Sequence, residues 1–138
     1  MLATRASAMS VGHAPLVTIP SYATLLDIAG LLHEHGIGAV GVQGPFGLVG
    51  IVSERDIIDA VARKVDLATA RVEDHLSSPV KSVRPEDTVL DVALRMLDSG
   101  TRHLPVVDDF DRPQGMVSLR DILRPLVLQA MTPADGSS

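Results

Sequence analysis

The chain has 138 residues, 46% of them hydrophobic but only 2% aromatic, and a formal net charge of −5. That balance predicts a folded globule with an aliphatic core, and it argues against a duplex-DNA binder, which needs a basic face, and a single-strand binder, which stacks bases on rings. There is no cysteine, which excludes disulfides, thiol catalysis and thiolate metal sites, and no apolar run approaches the roughly 18 residues of a membrane span.

In chain order, Met1 to Gly12 reads as a loose end. Pro15 and Pro20 interrupt the short apolar stretch Ala14 to Ile19, so no signal-peptide core is formed and a cytoplasmic location is expected. Leu16 to Ile19 predicts a strand ending at Pro20. Thr24, with Asp27 three residues on, predicts a capped helix with the stripe Leu25, Ile28, Ala29 and Leu32 and a stop at Gly36. Ala39 to Val42 and Leu48 to Val52 predict a hairpin about the turn Gly44 to Gly47, and Ser53 opens a helix to about Arg63. Asp66 to Ser78 is a joint. Val80 to Val83 predicts a strand, and Thr88 to Ser99 a helix with Val89, Val92, Ala93 and Met96 on one side. His103 to Val107 and Gln114 to Val117 predict a second hairpin about Asp108 to Pro113. Ser118 opens the last helix, which Pro125 should kink or end. Thr132 to Ser138 reads as a second loose end.

These elements are one unit used twice. Gly50-Ile51-Val52-Ser53-Glu54-Arg55-Asp56-Ile57 returns 65 residues later as Gly115-Met116-Val117-Ser118-Leu119-Arg120-Asp121-Ile122. Thr24 to Ala29 returns 64 residues later as Thr88 to Ala93, and Gly36/Gly100 and Pro15/Pro79 keep that offset. The one-residue slip falls between Val42 and Gly50, where a turn can absorb it. Each copy is β-α-β-β-α. A half of roughly 60 residues is marginal alone, so the copies are expected to bury their apolar faces against each other.

Two motifs mislead. Gly36-Ile37-Gly38-Ala39-Val40-Gly41 spells a dinucleotide fingerprint, but that fingerprint needs a strand before it and a helix after it, and here the order is reversed. His33-Glu34-His35 lacks a second histidine at i+4, so its two imidazoles do not share a helix face. No nucleophile motif or pair of catalytic carboxylates is legible, and no enzymatic activity is expected.

Ser-x-Arg-Asp opens the second helix of both copies, as Ser53/Arg55/Asp56 and Ser118/Arg120/Asp121. Helix capping alone explains Ser and Asp at that spacing. The same groups also suit a nucleotide's sugar-phosphate. A helix N-terminus offers N–H groups to phosphate, Arg a charged fork, and Asp an acceptor for a ribose diol. Thr18-Ile19 and Ser82-Val83, on the first strands, could form an apolar slot for a base.

The chain resembles a tandem pair of CBS domains (a Bateman module). The residues carrying the resemblance are Gly50 to Ser53 with Arg55-Asp56-Ile57, and Arg102-His103-Leu104-Pro105-Val106-Val107-Asp108 followed by Gly115 to Ser118 with Arg120-Asp121-Ile122-Leu123. Val72 to Leu76 and Pro79 to Val83 resemble the approach to the second copy, and the match spans roughly Met9 to Ala130.

The resemblance implies an α/β (α+β) fold of two pseudo-twofold-related β-α-β-β-α repeats packed through their sheets. Repeat one is expected over 9–66 and repeat two over 67–130, with flexible tails at 1–8 and 131–138. It further implies a regulatory sensor that binds AMP, ADP, ATP, NAD(H) or S-adenosylmethionine in clefts between the repeats. Such a ligand would be regulatory and not an obligatory cofactor. Carried onto this chain, Asp56 and Asp121 hold ribose beside Ser53 and Ser118, and Thr18/Ile19 and Ser82/Val83 flank adenine. Copy two has Arg102, His103 and Pro105 where copy one has Gly38, Ala39 and Gly41. Arg102, His103, Leu104, Pro105 and Arg120 therefore join the second site, Ala39 and Arg55 the first, and Asp121 marks the stronger anionic-nucleotide site. Lys81 and Arg84 add charge to that half. The partners implied are an adenine nucleotide, a second copy in a homodimer and an effector protein, with no DNA and no membrane. No catalytic domain is attached, so a self-contained sensor is expected. The competing expectation is a protein-interaction or structural module in which Ser and Asp act only as caps.

Overall fold

The computed structural model describes residues 3–76 and 81–132. It has a mixed α/β fold of five strands and five α-helices: α1 (Ala8–Val11), β1 (Thr18–Pro20), α2 (Leu25–His35), β2 (Ala39–Gly44), β3 (Gly47–Ser53), α3 (Glu54–Ala62), α4 (Val89–Ser99), β4 (His103–Val107), β5 (Pro113–Ser118) and α5 (Leu119–Met131). The expected Val80, the conserved-offset Pro79, and tail residues 1–2 and 133–138 lie outside the described residues.

Local chemistry accounts for the helix boundaries. α2, α3, α4 and α5 each start with a reciprocal capping box, formed by Thr24/Asp27, Ser53/Asp56, Thr88/Asp91 and Ser118/Asp121. Gly36 and Gly100 end α2 and α4 at φ 61° and 74°, a left-handed turn that a side chain would strain. α5 runs through Pro125 to Met131 instead of stopping there. Pro125 removes one backbone donor, but Ile122 before it and Leu126 after it pack into the same apolar cluster, and that burial carries the helix past it.

The chain divides into two compact units, Leu16–Lys81 and Met1–Pro15 with Ser82–Ser138. In the first, β1 runs parallel to β2 and β2 antiparallel to β3, with Ile19 opposite Val42 and Val40 opposite Val52. In the second, β4 pairs antiparallel with β5, with Leu104 opposite Val117. The counterpart of β1 is reduced to one parallel bridge, Val83 to Val106, which keeps the 64-residue offset from Ile19 and Val42. Both hairpins shift register by one residue near their turns, after Val42 and after Val106. The shift is common to both copies, so the slip in the repeat is taken up by the turn, which is one residue longer between Val107 and Pro113 than between Gln43 and Leu48. Leu25, Ile28, Leu32, Val40, Val42, Val52 and Val72 form one core; Ala8, Val83, Val89, Val92, Met96, Leu104, Val106, Val117 and Ile122 form the other.

The N-terminal stretch is not loose, contrary to expectation. Ala3–Arg5 forms a 3-10 turn, Ala8 is fully buried, and Ala6, Met9 and Val11 pack on the second unit's core. The reason is an exchange of lead-in segments between the copies. Val89 N–H donates to Ala6 O (2.8 Å) and Ala8 N–H to Asp87 O (2.6 Å). Sixty-four residues apart, Leu25 N–H donates to Ala70 O (2.9 Å) and Val72 N–H to Ala23 O (2.8 Å). The segment leading into copy one thus completes the body of copy two, and the segment leading into copy two completes copy one. At the other end Thr132 Oγ1 donates to Leu128 O at 2.9 Å, so α5 is closed where a tail was expected to begin.

The N-terminal segment is seated on two glycines. His13 and Met116 exchange two backbone hydrogen bonds of 2.8 Å. A Cβ on Gly115 would stand 2.3 Å from His13 O, and one on Gly12 2.7 Å from Met116 O. Gly115→Ala should destabilise the protein by about 1–3 kcal/mol in urea denaturation, since backbone must move. Gly50→Ala, whose nearest obstacle is the flexible Leu76 side chain at 3.0 Å, should cost less. Equal costs would refute the seat. The Asp91 carboxylate is held below its ordinary value chiefly by the backbone N–H of Thr88, then by its hydroxyl. Its stabilisation is complete above the unfolded carboxylate pKa and lost as pH falls through the lower folded value. Asp91→Asn should therefore lower the melting temperature at neutral pH, with the gap closing as the pH falls through the lowered folded-state value.

Candidate functional site

In the second unit the expected residues converge at the start of α5. The β4–β5 register sets His103 opposite Ser118 and Leu104 opposite Val117. Leu119 N–H donates to Arg102 O at 2.8 Å, which fixes Arg102 and His103 beside the helix N-terminus. Val83 bonds the same strand, its N–H to Pro105 O at 2.9 Å and its carbonyl to Val107 N–H at 2.9 Å, so Ser82 and Val83 flank Pro105. Arg102 and Arg120 are exposed, and among the described residues neither guanidinium has an ion-pair partner. Two cations without an ion-pair partner among the described residues, at a helix N-terminus beside a carboxylate, have the chemistry to attract an anionic, hydroxyl-bearing group.

Three details differ from the sequence expectation. Val83 and Leu104 are core side chains with about 1% exposure, and both backbone groups of Val83 are already bonded. They can shape a slot but offer no hydrogen bond to a base. Arg84 is committed to the hairpin turn, where it donates to Asp108 O and stands 4.0 Å from Asp109 and Asp111. Its charge is already balanced there. Two first-turn N–H groups are also engaged, that of Leu119 by Arg102 O and that of Asp121 by Ser118 Oγ at 3.1 Å. The positive charge on offer at this helix start therefore comes mainly from arginine side chains, with less from a bare helix terminus.

The first unit repeats the framework with different chemistry. Ala39 pairs with Ser53, Glu54 N–H donates to Gly38 O at 2.8 Å, and Asp56 accepts from Ser53 N–H at 2.8 Å. Thr18 and Ile19 lie on β1 opposite Gly41 and Val42. Arg55 and Asp56 are exposed. Gly38 and Ala39 stand where the second unit has Arg102 and His103, so this set carries one arginine against two.

The two aspartates also differ. Asp56 is exposed, whereas Asp121 is the one buried charged residue among those described, at 8% exposure. Asp121 Oδ2 accepts from Ser118 N–H at 2.8 Å, and Oδ1 accepts from His13 Nε2 at 2.8 Å. His13 was not anticipated: it follows the stretch read as a loose end and belongs to no predicted element. No local pattern marks it, because its partner lies 108 residues away in the chain. Among the described residues no three His, Asp or Glu side chains are grouped to hold a metal ion, and no helix is long and apolar enough to cross a membrane.

The pattern of the CBS domain family matches residues 8–63 and 72–128. An uncharacterized 17.7 kDa protein of Acidianus ambivalens is 35% identical over 106 residues, which cover 75% of this chain and 63% of that protein. The L-aspartate semialdehyde sulfurtransferase of Methanocaldococcus jannaschii is 30% identical over 80% of this chain but only 21% of its own length. The chain thus spans less than two thirds of these relatives. Among solved structures, a CBS domain protein of Pyrobaculum aerophilum complexed with AMP superposes with a TM-score of 0.80 at 30% identity, over 92% of this chain and 99% of that one. The CBS domain pair of protein MJ0100, in complex with 5′-methylthioadenosine and S-adenosyl-L-methionine, gives a TM-score of 0.81 at 26% identity, over 89% and 97%. With the duplicated Ser-x-Arg-Asp framework and two matched stretches covering most of its length, this chain belongs to the CBS domain family and carries the domain twice in tandem.

Proposed function

We propose that the chain is a regulatory module that binds an adenosine-containing ligand, with the constellation around Asp121 as its stronger site. The observation that carries this reading is the meeting of a buried carboxylate, Asp121, with the unpaired guanidinium groups of Arg102 and Arg120 at one helix N-terminus. Asp121 takes the ribose hydroxyls, Ser118 lies beside them, Arg102, His103 and Arg120 take phosphate, and Ser82, Val83, Leu104 and Pro105 bound the base. Asp56 with Ser53, Arg55, Thr18, Ile19 and Ala39 forms a second, less cationic site. The AMP bound by the Pyrobaculum protein and the adenosine derivatives bound by the MJ0100 pair support this ligand class. In this reading the chain regulates and does not catalyse. It works in the cytoplasm, needs no obligatory cofactor, and passes its signal to an effector protein or to its own oligomeric state.

Thermal unfolding with AMP, ADP, ATP, NADH and S-adenosylmethionine tests the reading. A ligand at 100 times its dissociation constant adds about 2.7 kcal/mol, which moves the melting point by several degrees. Asp121→Ala should abolish the AMP shift and Asp56→Ala should leave most of it. The reverse order would overturn the assignment, and no shift with any ligand would favour a pure interaction module.

A second observation supports self-association. On α4, Leu90, Leu94 and Leu97 are 50%, 55% and 82% exposed at helical spacing, and Leu123, Val127, Leu128 and Met131 are exposed on the neighbouring α5. An apolar stripe of this size on a surface helix suits a second copy of the chain. Leu94→Glu with Leu97→Glu should convert a dimer to a monomer in light scattering. An unchanged mass would exclude this face as the interface.

A further inference from the structure

We propose that His13 is a latch on the Asp121 site, which a ligand must displace to reach the carboxylate, so that occupancy loosens the N-terminal segment. This rests on the nucleotide reading above and adds a route from site to signal.

The carboxylate's two oxygens have separate roles. Oδ2 accepts the Ser118 N–H and holds the cap of α5. Oδ1 accepts His13 Nε2 at 2.8 Å. Oδ2 serves the cap of α5, so a hydroxyl-bearing ligand that leaves the cap undisturbed competes with the imidazole for Oδ1. Exposure decides which partner yields. The His13 side chain is 75% exposed and that of Asp121 is 7% exposed. The ring loses little burial by swinging into water, whereas a buried carboxylate left without a partner is costly. Exchange of the imidazole N–H for a ligand hydroxyl keeps Oδ1 satisfied throughout.

Displacement of the ring acts on more than one side chain. The His13 backbone is bonded twice to Met116, and the segment before it supplies Ala6 O to the first turn of α4 and Ala8 to the core. The imidazole–carboxylate bond ties this segment to α5 by a side chain, across 108 residues of sequence. Its loss leaves that end of the segment to the His13–Met116 backbone bridge and the packing of Met9 and Val11 on the core. Among the described residues, Asp56 has no histidine partner, so the latch belongs to the Asp121 site.

The test uses the full chain and AMP. Titration calorimetry compares wild type with His13→Ala and His13→Gln. Removal of a competing hydrogen bond should tighten AMP binding by about fivefold in His13→Ala, with His13→Gln, which keeps an N–H donor, nearer wild type. Hydrogen exchange at the Met116 amide, which donates to His13 O, should quicken about fivefold on adding AMP to wild type, and equally in ligand-free His13→Ala. Equal AMP affinity in wild type and His13→Ala would overturn the latch and leave the nucleotide reading standing. Weaker binding in His13→Ala would also overturn it and make His13 a ligand contact. Absence of AMP binding in both proteins, with Met116 exchange unchanged between them, would overturn the latch and the AMP assignment together.

Discussion

Each repeat of this chain depends on backbone hydrogen bonds that its own sequence neighbourhood cannot supply. The first N–H of α2 is satisfied by Ala70 O and that of α4 by Ala6 O. Each acceptor lies in the segment that precedes the other repeat. The exchange also fills the cores, since Ala8 and Val72 are completely buried, each against the body of the copy to which it does not belong in sequence. A half of this size buries too little apolar surface to stand well alone, and a borrowed segment adds to that surface. Fold and repeat are therefore not the same unit: a cut at the sequence boundary would strip each half of one helix partner.

The exchange also differentiates the two sites. Duplication gave both copies the same capped helix with Ser and Asp at its start, and the structure keeps that cap in both. The segment arriving at the second unit carries His13, whose ring reaches Asp121. The strand beside the helix carries Arg102 and His103 there, in place of Gly38 and Ala39. One framework thus holds an exposed carboxylate with a single arginine in one unit, and a buried, histidine-bonded carboxylate with two free arginines in the other. Because burial raises the cost of leaving Oδ1 unpaired, the second carboxylate is the more demanding of a partner, and His13 meets that demand.

Arg84 shows how a residue of the right type can be removed from a site by its surroundings. Its position on the approach to the second copy, near Lys81, counted it among the cations of that half. The hairpin turn presents Asp108, Asp109 and Asp111 within its reach, and Arg84 binds there. Charge counted along the sequence therefore overstated the cation available to a ligand, while Arg102 and Arg120 remain unpaired by protein partners among the described residues.

The repeat, the order of elements, the four capped helix starts and the paired Ser-x-Arg-Asp motifs were all legible in the sequence. Each is set by residues three or four apart, or by alternation along one strand, so local sterics and capping decide them. Three features were not legible: the docking of residues 6–13 on α4, the continuation of α5 through Pro125, and the bond from His13 to Asp121. Each depends on apolar burial or polar satisfaction shared with residues far away in the chain, and propensity and periodicity carry no record of such partners. Local pattern determined what elements this chain makes and where its candidate site residues stand. Tertiary packing alone decided which copy each segment completes, which aspartate is buried, and what that aspartate holds.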